Sequence, residues 1–143
     1  MTRLIAAILP ALFLAACGPS APADPAREAA QHRANVSQAD PRMPTGFAVY
    51  RGEVGDVREF QIAPAGEGQI ATFSVIGRPE TIRRFYEDQA VAAGMQVIGR
   101  VSTGDFMSVD ARRAGAGNPH TFSMAAVHKG EYTNVTLMFN VTA

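Results

Sequence analysis

The C-terminal part of the chain shows the clearest alternation of apolar and polar positions. Large apolar side chains stand at every second position of its last stretch, at Val135, Leu137, Phe139 and Val141. Because side chains of a strand point alternately to its two faces, this period predicts a half-buried strand over Tyr132–Val141. The segment His120–His128 precedes it across a short turn, so the two are predicted to form a β-hairpin.

Earlier apolar runs are short and are separated by glycine, which is typical of further strands. The predicted strands are Phe47–Tyr50, Val57–Ile62, Gln69–Ile76, Met95–Val101 and Phe106–Ala111. In the second of these, strict alternation predicts Val57, Glu59 and Gln61 on one face and Arg58, Phe60 and Ile62 on the other.

One segment has the period of a helix instead. Pro79 suits the first helical position, Glu80 suits the positive end of the helix dipole, and Gly94 suits the end of the helix. Between them, residues of one stripe recur at helical spacing: Ile82, Phe85, Tyr86, Gln89, Ala90 and Ala93. Since this stripe is about one face wide, we expect the helix to pack on a sheet, with Phe85 in the core.

These elements predict an α+β fold, in which one main helix packs on one face of an antiparallel sheet as a two-layer sandwich. The segment Ile82–Val97, with Phe85-Tyr86 on a helix that ends at Gly94 before Met95, resembles a recurrent module of small exported bacterial proteins. The resemblance covers roughly residues 68–141. It implies this fold and no particular activity.

The N-terminus has the pattern of an export signal. Arg3 precedes an apolar run from Leu4 to Ala16, which spans thirteen residues. A membrane-spanning helix needs about 20 apolar residues, whereas the apolar region of a signal peptide has roughly 7–15. We therefore expect residues 1–16 to be a signal peptide. An uncleaved membrane anchor is the alternative, and the short run counts against it.

The run ends in Leu14-Ala15-Ala16-Cys17, which resembles the lipobox of bacterial lipoproteins. The resemblance implies that the Cys17 thiol receives diacylglyceryl, that the chain is cut before Cys17, and that the new amino group is acylated, for example with palmitate. Gly18 implies an outer-membrane position facing the periplasm. An ordinary signal peptide cut after Ala16, with an incidental cysteine, is the alternative.

Residues 17–44 are rich in alanine and proline and contain few large apolar side chains, so they are predicted to be a flexible tether. A short helix over Ala26–Ala34, capped by Asp24-Pro25, is an open alternative within it. Residues 45–143 are then predicted to form a small α+β domain.

Composition and spacing narrow the chemistry. The chain has 13 basic and 13 acidic side chains, and this balance argues against nucleic acid as a partner. Its single cysteine is the one expected to carry lipid. His120 and His128 bracket one predicted strand and would lie about 26 Å apart, too far to share a metal ion. We expect no metal site, no cofactor and no catalytic residues.

The remaining candidates for a contact are Arg112 and Arg113, with Arg100 expected nearby, together with Tyr86 and His120. The arginines would suit an anion or an acidic partner, although basic side chains at a strand end are often only solvated. Tyr86 is expected at the edge of the core, with its hydroxyl exposed to solvent. The pattern favours a non-catalytic envelope lipoprotein that binds a protein or a wall polymer. The alternative is a small-ligand receptor or an enzyme with a pocket between helix and sheet.

Overall fold

A computed structural model of the protein describes residues 36–52 and 54–140. Cys17 and the helix predicted over Ala26–Ala34 lie outside these residues. The described elements, in chain order, are β1 (Ser37–Gln38), β2 (Val49–Tyr50), β3 (Val57–Ala65), β4 (Gly68–Val75), α1 (Pro79–Ala92), β5 (Gln96–Thr103), β6 (Phe106–Arg112), β7 (Thr121–Lys129) and β8 (Tyr132–Asn140).

Six of the strands form one antiparallel sheet in the order β3-β4-β8-β7-β6-β5, so that β3 and β5 are its two edges. The remaining strands, β1 and β2, pair with each other as a separate two-stranded sheet. The α+β class with an antiparallel sheet is thereby confirmed, with β-structure dominating the described residues. The strand predicted over Phe47–Tyr50 is reduced to β2 and does not join the main sheet.

The alternation that predicted β8 appears as two different faces of the sheet. Thr133, Val135, Leu137 and Phe139 are buried on the inner face, while the side chains between them are half-buried or exposed on the outer face. The same division runs through β4 and β7, so one face of the sheet carries the core.

Helix α1 covers part of that inner face. It begins at Pro79 and is followed by Gly94, whose φ of +78° is the left-handed conformation that glycine adopts without strain. Ile82, Tyr86 and Ala90 are completely buried, and the helix contacts β5, β6 and β7. The predicted stripe therefore faces the sheet, and Phe85 lies half-buried at its margin.

Residues 36–50 cover more of the inner face, and here the predicted boundary at residue 45 was wrong. Val36 and Met43, which were assigned to the flexible tether, are 3% and 6% exposed and belong to the core. Phe47 follows them and packs on Phe122 of β7 and Phe139 of β8, at ring-centroid distances of 4.7 and 5.0 Å. The folded unit therefore begins no later than Val36, because both side chains belong to the buried core.

The two faces predicted for β3 were also wrong in part. Glu59 has a φ of +54°, and the pairing of β3 with β4 shifts between Arg58 and Gln61. This bulge adds one residue to the strand, so Val57 and Phe60, which strict alternation places on opposite faces, both pack against the core. Among the described residues, no helix is long and apolar enough to cross a membrane.

Candidate functional site

Three of the four predicted contact residues meet at one end of the sheet. Arg112, Arg113 and His120 line a cleft of about 340 Å³. The remaining lining residues are Gln96 and Ile98 of edge strand β5 and Ala114 of the loop between β6 and β7. We call these six residues the basic cleft.

Sheet register brings the cleft together. Gln96 lies opposite Arg112, which lies opposite Thr121 on its other side. Beyond the ladder, the Arg113 N–H donates to the His120 carbonyl at 2.9 Å, and the His120 N–H donates to the Asn140 carbonyl at 2.8 Å. The two arginines and His120 are therefore held on neighbouring strand ends by main-chain hydrogen bonds, not by a flexible loop.

The Arg113 side chain lies against Gly94 and Gly117 and is hydrogen-bonded to the Pro119 carbonyl. Its Nε donates to the Pro119 carbonyl at 3.3 Å. A Cβ on Gly117 would come within 2.7 Å of Arg113 Cδ, and one on Gly94 would come within 3.3 Å of its Nη1. Gly94 follows the end of α1, where the helix dipole is negative and favours a cation. The guanidinium is thus held at the helix terminus.

The charge of the cleft is not neutralised by a carboxylate. Neither Arg112 nor Arg113 forms an ion pair with any described residue. Asp110, two residues before Arg112, accepts instead from the Ser123 hydroxyl at 2.6 Å. The cleft therefore combines two guanidinium groups that have no acidic partner among the described residues, and such groups are well suited to hydrogen-bond a carboxylate or a phosphate.

Arg100 lies outside this cluster, contrary to the expectation. Its guanidinium donates to the Glu87 carboxylate of α1, which also accepts from Arg83. The hydrogen bonds from Arg100 hold the pKa of the Glu87 carboxyl below its ordinary value. Arg100 therefore ties β5 to the helix and is engaged in structure.

His120 contributes a polar atom that lacks a partner. Its Nδ1 is buried and makes no hydrogen bond within the described part of the chain. A buried polar atom without a partner costs about 1–3 kcal/mol. His120 is a lining residue of the cleft, although this atom is itself closed to solvent.

The strand beside the cleft is an open edge. Ile98 and Val101 of β5 are 64% and 45% exposed. The opposite edge, β3, contains Pro64, which has no N–H, and the left-handed bulge at Glu59. Proline and bulges are common features that protect a strand from pairing with another chain. Although β5 also has a bulge, at Ile98, it has no proline and its outer half follows regular register.

Tyr86 lies elsewhere, and its predicted place was wrong. The side chain is completely buried, and its hydroxyl accepts from the Tyr50 N–H at 3.0 Å. Burial raises the pKa of this hydroxyl well above its ordinary value, so it stays protonated. Phe85, expected deeper than Tyr86, is only half-buried. Adjacent helical residues point about 100° apart, and only the packing shows which of the two faces the sheet.

Other features of the described residues carry less chemistry. His128, at the far end of β7 from His120, has its Nδ1 3.0 Å from the Thr133 hydroxyl of the core. A surface hollow of about 610 Å³ lies between residues 41–45 and 64–69, but Arg42 on its rim is already paired with Asp40. No group of histidine, cysteine and acidic residues in the described part of the chain is arranged to hold a metal ion.

The chain was also compared with known proteins. No protein-family model matches the chain, and no curated protein or solved structure matches it.

Proposed function

We propose that this protein is an exported lipoprotein whose folded domain binds an anionic partner through the basic cleft. In this proposal, lipid on Cys17 anchors the chain, with the outer membrane as its position and the periplasm as the space that it faces. The domain acts as a non-catalytic binding or assembly module for an envelope protein or a wall polymer. Both classes of partner offer carboxylate groups.

One observation supports the binding half of the proposal above the others. Arg112 and Arg113 converge on a cleft without an acidic partner among the described residues, while Arg42, Arg58 and Arg100 are each ion-paired. The Arg113 guanidinium is already held by the Pro119 carbonyl, so it can donate to a carboxylate with less loss of side-chain entropy than a free arginine. The alternative, a pocket between helix and sheet, gains no support, because Ile82 and Tyr86 on the sheet-facing side of the helix have no exposed surface.

The binding half is tested by titration of the lipidated protein with acetate and with inorganic phosphate. We expect the His120 ring and the Arg112 and Arg113 side-chain NMR signals to shift together. Arg112→Gln combined with Arg113→Gln should abolish the effect and lower partner recovery after crosslinking in envelopes. The matched control, Arg58→Gln with Arg84→Gln, removes the same charge from exposed sites elsewhere. Equal responses of the two double variants would refute the cleft as the binding site.

The anchoring half is tested by Cys17→Ala. The expected result is loss of radiolabelled palmitate incorporation and accumulation of uncut precursor, because the thiol is the acceptor of the lipid. Stable anchoring requires about two acyl chains, so the variant should also leave the membrane fraction if it is cut by another peptidase. Palmitate labelling of Cys17→Ala equal to that of the wild type would exclude this anchor.

A further inference from the structure

The basic cleft and the open edge of the sheet are parts of one surface. Gln96 and Ile98 line the cleft and are also the first and third residues of edge strand β5. Building on the proposed function, we propose that the partner is an extended peptide that adds to β5 as an antiparallel strand and places its C-terminal carboxylate in the basic cleft.

The direction of β5 decides which end of the peptide reaches the arginines. β5 runs from Gln96, at the cleft, to Thr103, at the far end of the strand. An antiparallel peptide runs the opposite way, so its last residue lies beside Gln96. Its carboxylate then meets Arg112, Arg113 and His120. A parallel peptide would bring its ammonium group to the two guanidinium groups, which repel it.

The antiparallel mode also agrees with the rest of the sheet, in which every strand pair is antiparallel. An edge strand turns the main-chain N–H and C=O groups of alternate residues outward, where a peptide can pair with them. The main chain thereby supplies affinity that does not depend on sequence, while the carboxylate sets the position of the peptide.

Side chains beside β5 suit such a partner. Ile98 is displaced from the ladder by the bulge between Val97 and Gly99, which leaves it 64% exposed at the mouth of the cleft. Val101, on the outer face, is 45% exposed. Both offer apolar contact to the side chains of an added strand. Arg100 turns toward Glu87 of α1 and leaves the charge of the cleft at one end of the strand.

The experiment uses the full lipidated protein in detergent micelles. The probe is a pool of randomised octapeptides with free C-termini, matched in length to the 8 residues of β5, and compared with the same pool carrying C-terminal amides. We expect the acid pool to be retained about tenfold better than the amide pool, as for a hydrogen-bonded charge. Arg112→Gln with Arg113→Gln should remove this preference, and Arg58→Gln with Arg84→Gln should keep it.

Two further measurements test strand addition itself. The best-retained peptide should slow hydrogen exchange at β5 amides and leave the opposite edge, β3, unchanged. Two N-methylated versions of that peptide are compared, one methylated at the odd-numbered residues and one at the even-numbered residues. One version should lose binding and the other should keep it, because only every second N–H pairs with β5. These changes are made on the peptide and leave the folding of the protein untouched.

Each other outcome has a definite meaning. Acid and amide pools retained equally, or protection that falls outside β5, would overturn the inference. So would β5 protection that rises with protein concentration without peptide, since a second copy of the chain would then be the occupant. If acetate still shifts the His120 ring, the anion site of the proposed function survives this failure. If acetate has no effect either, both proposals fail.

Discussion

The covered face of the sheet and its β5 edge differ in nearly every physical respect. On the covered face, Phe122 and the Tyr86 ring that packs over it have no exposed surface. The buried Tyr86 hydroxyl accepts a hydrogen bond from the Tyr50 N–H. At the β5 edge, Ile98 and Val101 face solvent and Arg112 has no ion-pair partner among the described residues. Buried apolar contacts are therefore concentrated on the covered face, and the proposed binding site lies at the edge.

This difference separates the consequences of substitution. A buried apolar side chain contributes about 1.5–3 kcal/mol to folding, whereas an exposed charge contributes little. Changes on the covered face should unfold the protein, and changes at the edge should leave it folded but unable to bind. The predictions below test this separation, from the largest expected effect to the smallest.

The largest effect is expected for removal of the N-terminal part of the covered face. A chain that begins at Thr45 lacks Val36 and Met43, and it should be less stable than one that begins at Gly18 by about 3–6 kcal/mol, the sum of two buried side chains. Urea unfolding measures the difference. The control begins at Asn35 and keeps both residues, so it should unfold close to the longer chain. If the chains that begin at Gly18, Asn35 and Thr45 unfolded at the same urea concentration, residues 36–44 would not contribute to the core.

Within the helix, Tyr86→Ala should cost about 3–5 kcal/mol, because it removes a fully buried ring and leaves a cavity. Tyr86→Phe should cost about 1–3 kcal/mol, because the buried Tyr50 N–H loses its acceptor. Phe85→Ala should cost less than Tyr86→Ala, since Phe85 is half-buried. Arg84→Ala, at an exposed position, should stay within about 0.5 kcal/mol. A larger loss at Phe85 than at Tyr86 would contradict the burial described above.

At the edge, Arg112→Gln with Arg113→Gln should change the free energy of unfolding by no more than about 1 kcal/mol, while acetate binding falls about tenfold. The single hydrogen bond from Arg113 to Pro119 accounts for most of the stability change. Parallel urea melts and NMR titrations measure both quantities. If the double variant lost stability as Tyr86→Ala does, the cleft would be part of the core rather than a binding site.

The smallest effect concerns the ion pair that joins the two regions. Because Arg100 lowers the pKa of Glu87 in the folded state, the stabilisation by Glu87 is present above its unfolded value of 4.5 and is lost as pH falls through the folded value. The stability difference between wild type and Glu87→Gln should therefore shrink as pH falls from about 7 to about 3. Glu80→Gln, on an exposed pair, is the control. A difference that grew with acidity would have the wrong sign for this mechanism.

Local pattern was enough to predict most of the elements. The alternation around Leu137 identified β8, and Pro79 and Gly94 bounded the helix, because these signals act between residues close in the chain. The bulge at Glu59 escaped prediction, since a left-handed glutamate leaves no mark in the pattern of apolar residues. The same is true of Val36 and Met43, whose burial depends on a sheet that forms from residues far along the chain.

The sequence by itself determined an α+β fold, the lipobox-like segment at Cys17 and the identity of the basic side chains. Only the tertiary structure decided which of those side chains act together. It joined Arg112 and Arg113 to His120, moved Arg100 to Glu87 and buried Tyr86. It also left β5 as the open edge beside the cleft. The physical reason is that strand order and register bring together residues that are distant in sequence, whereas periodicity reports only the face on which each residue lies.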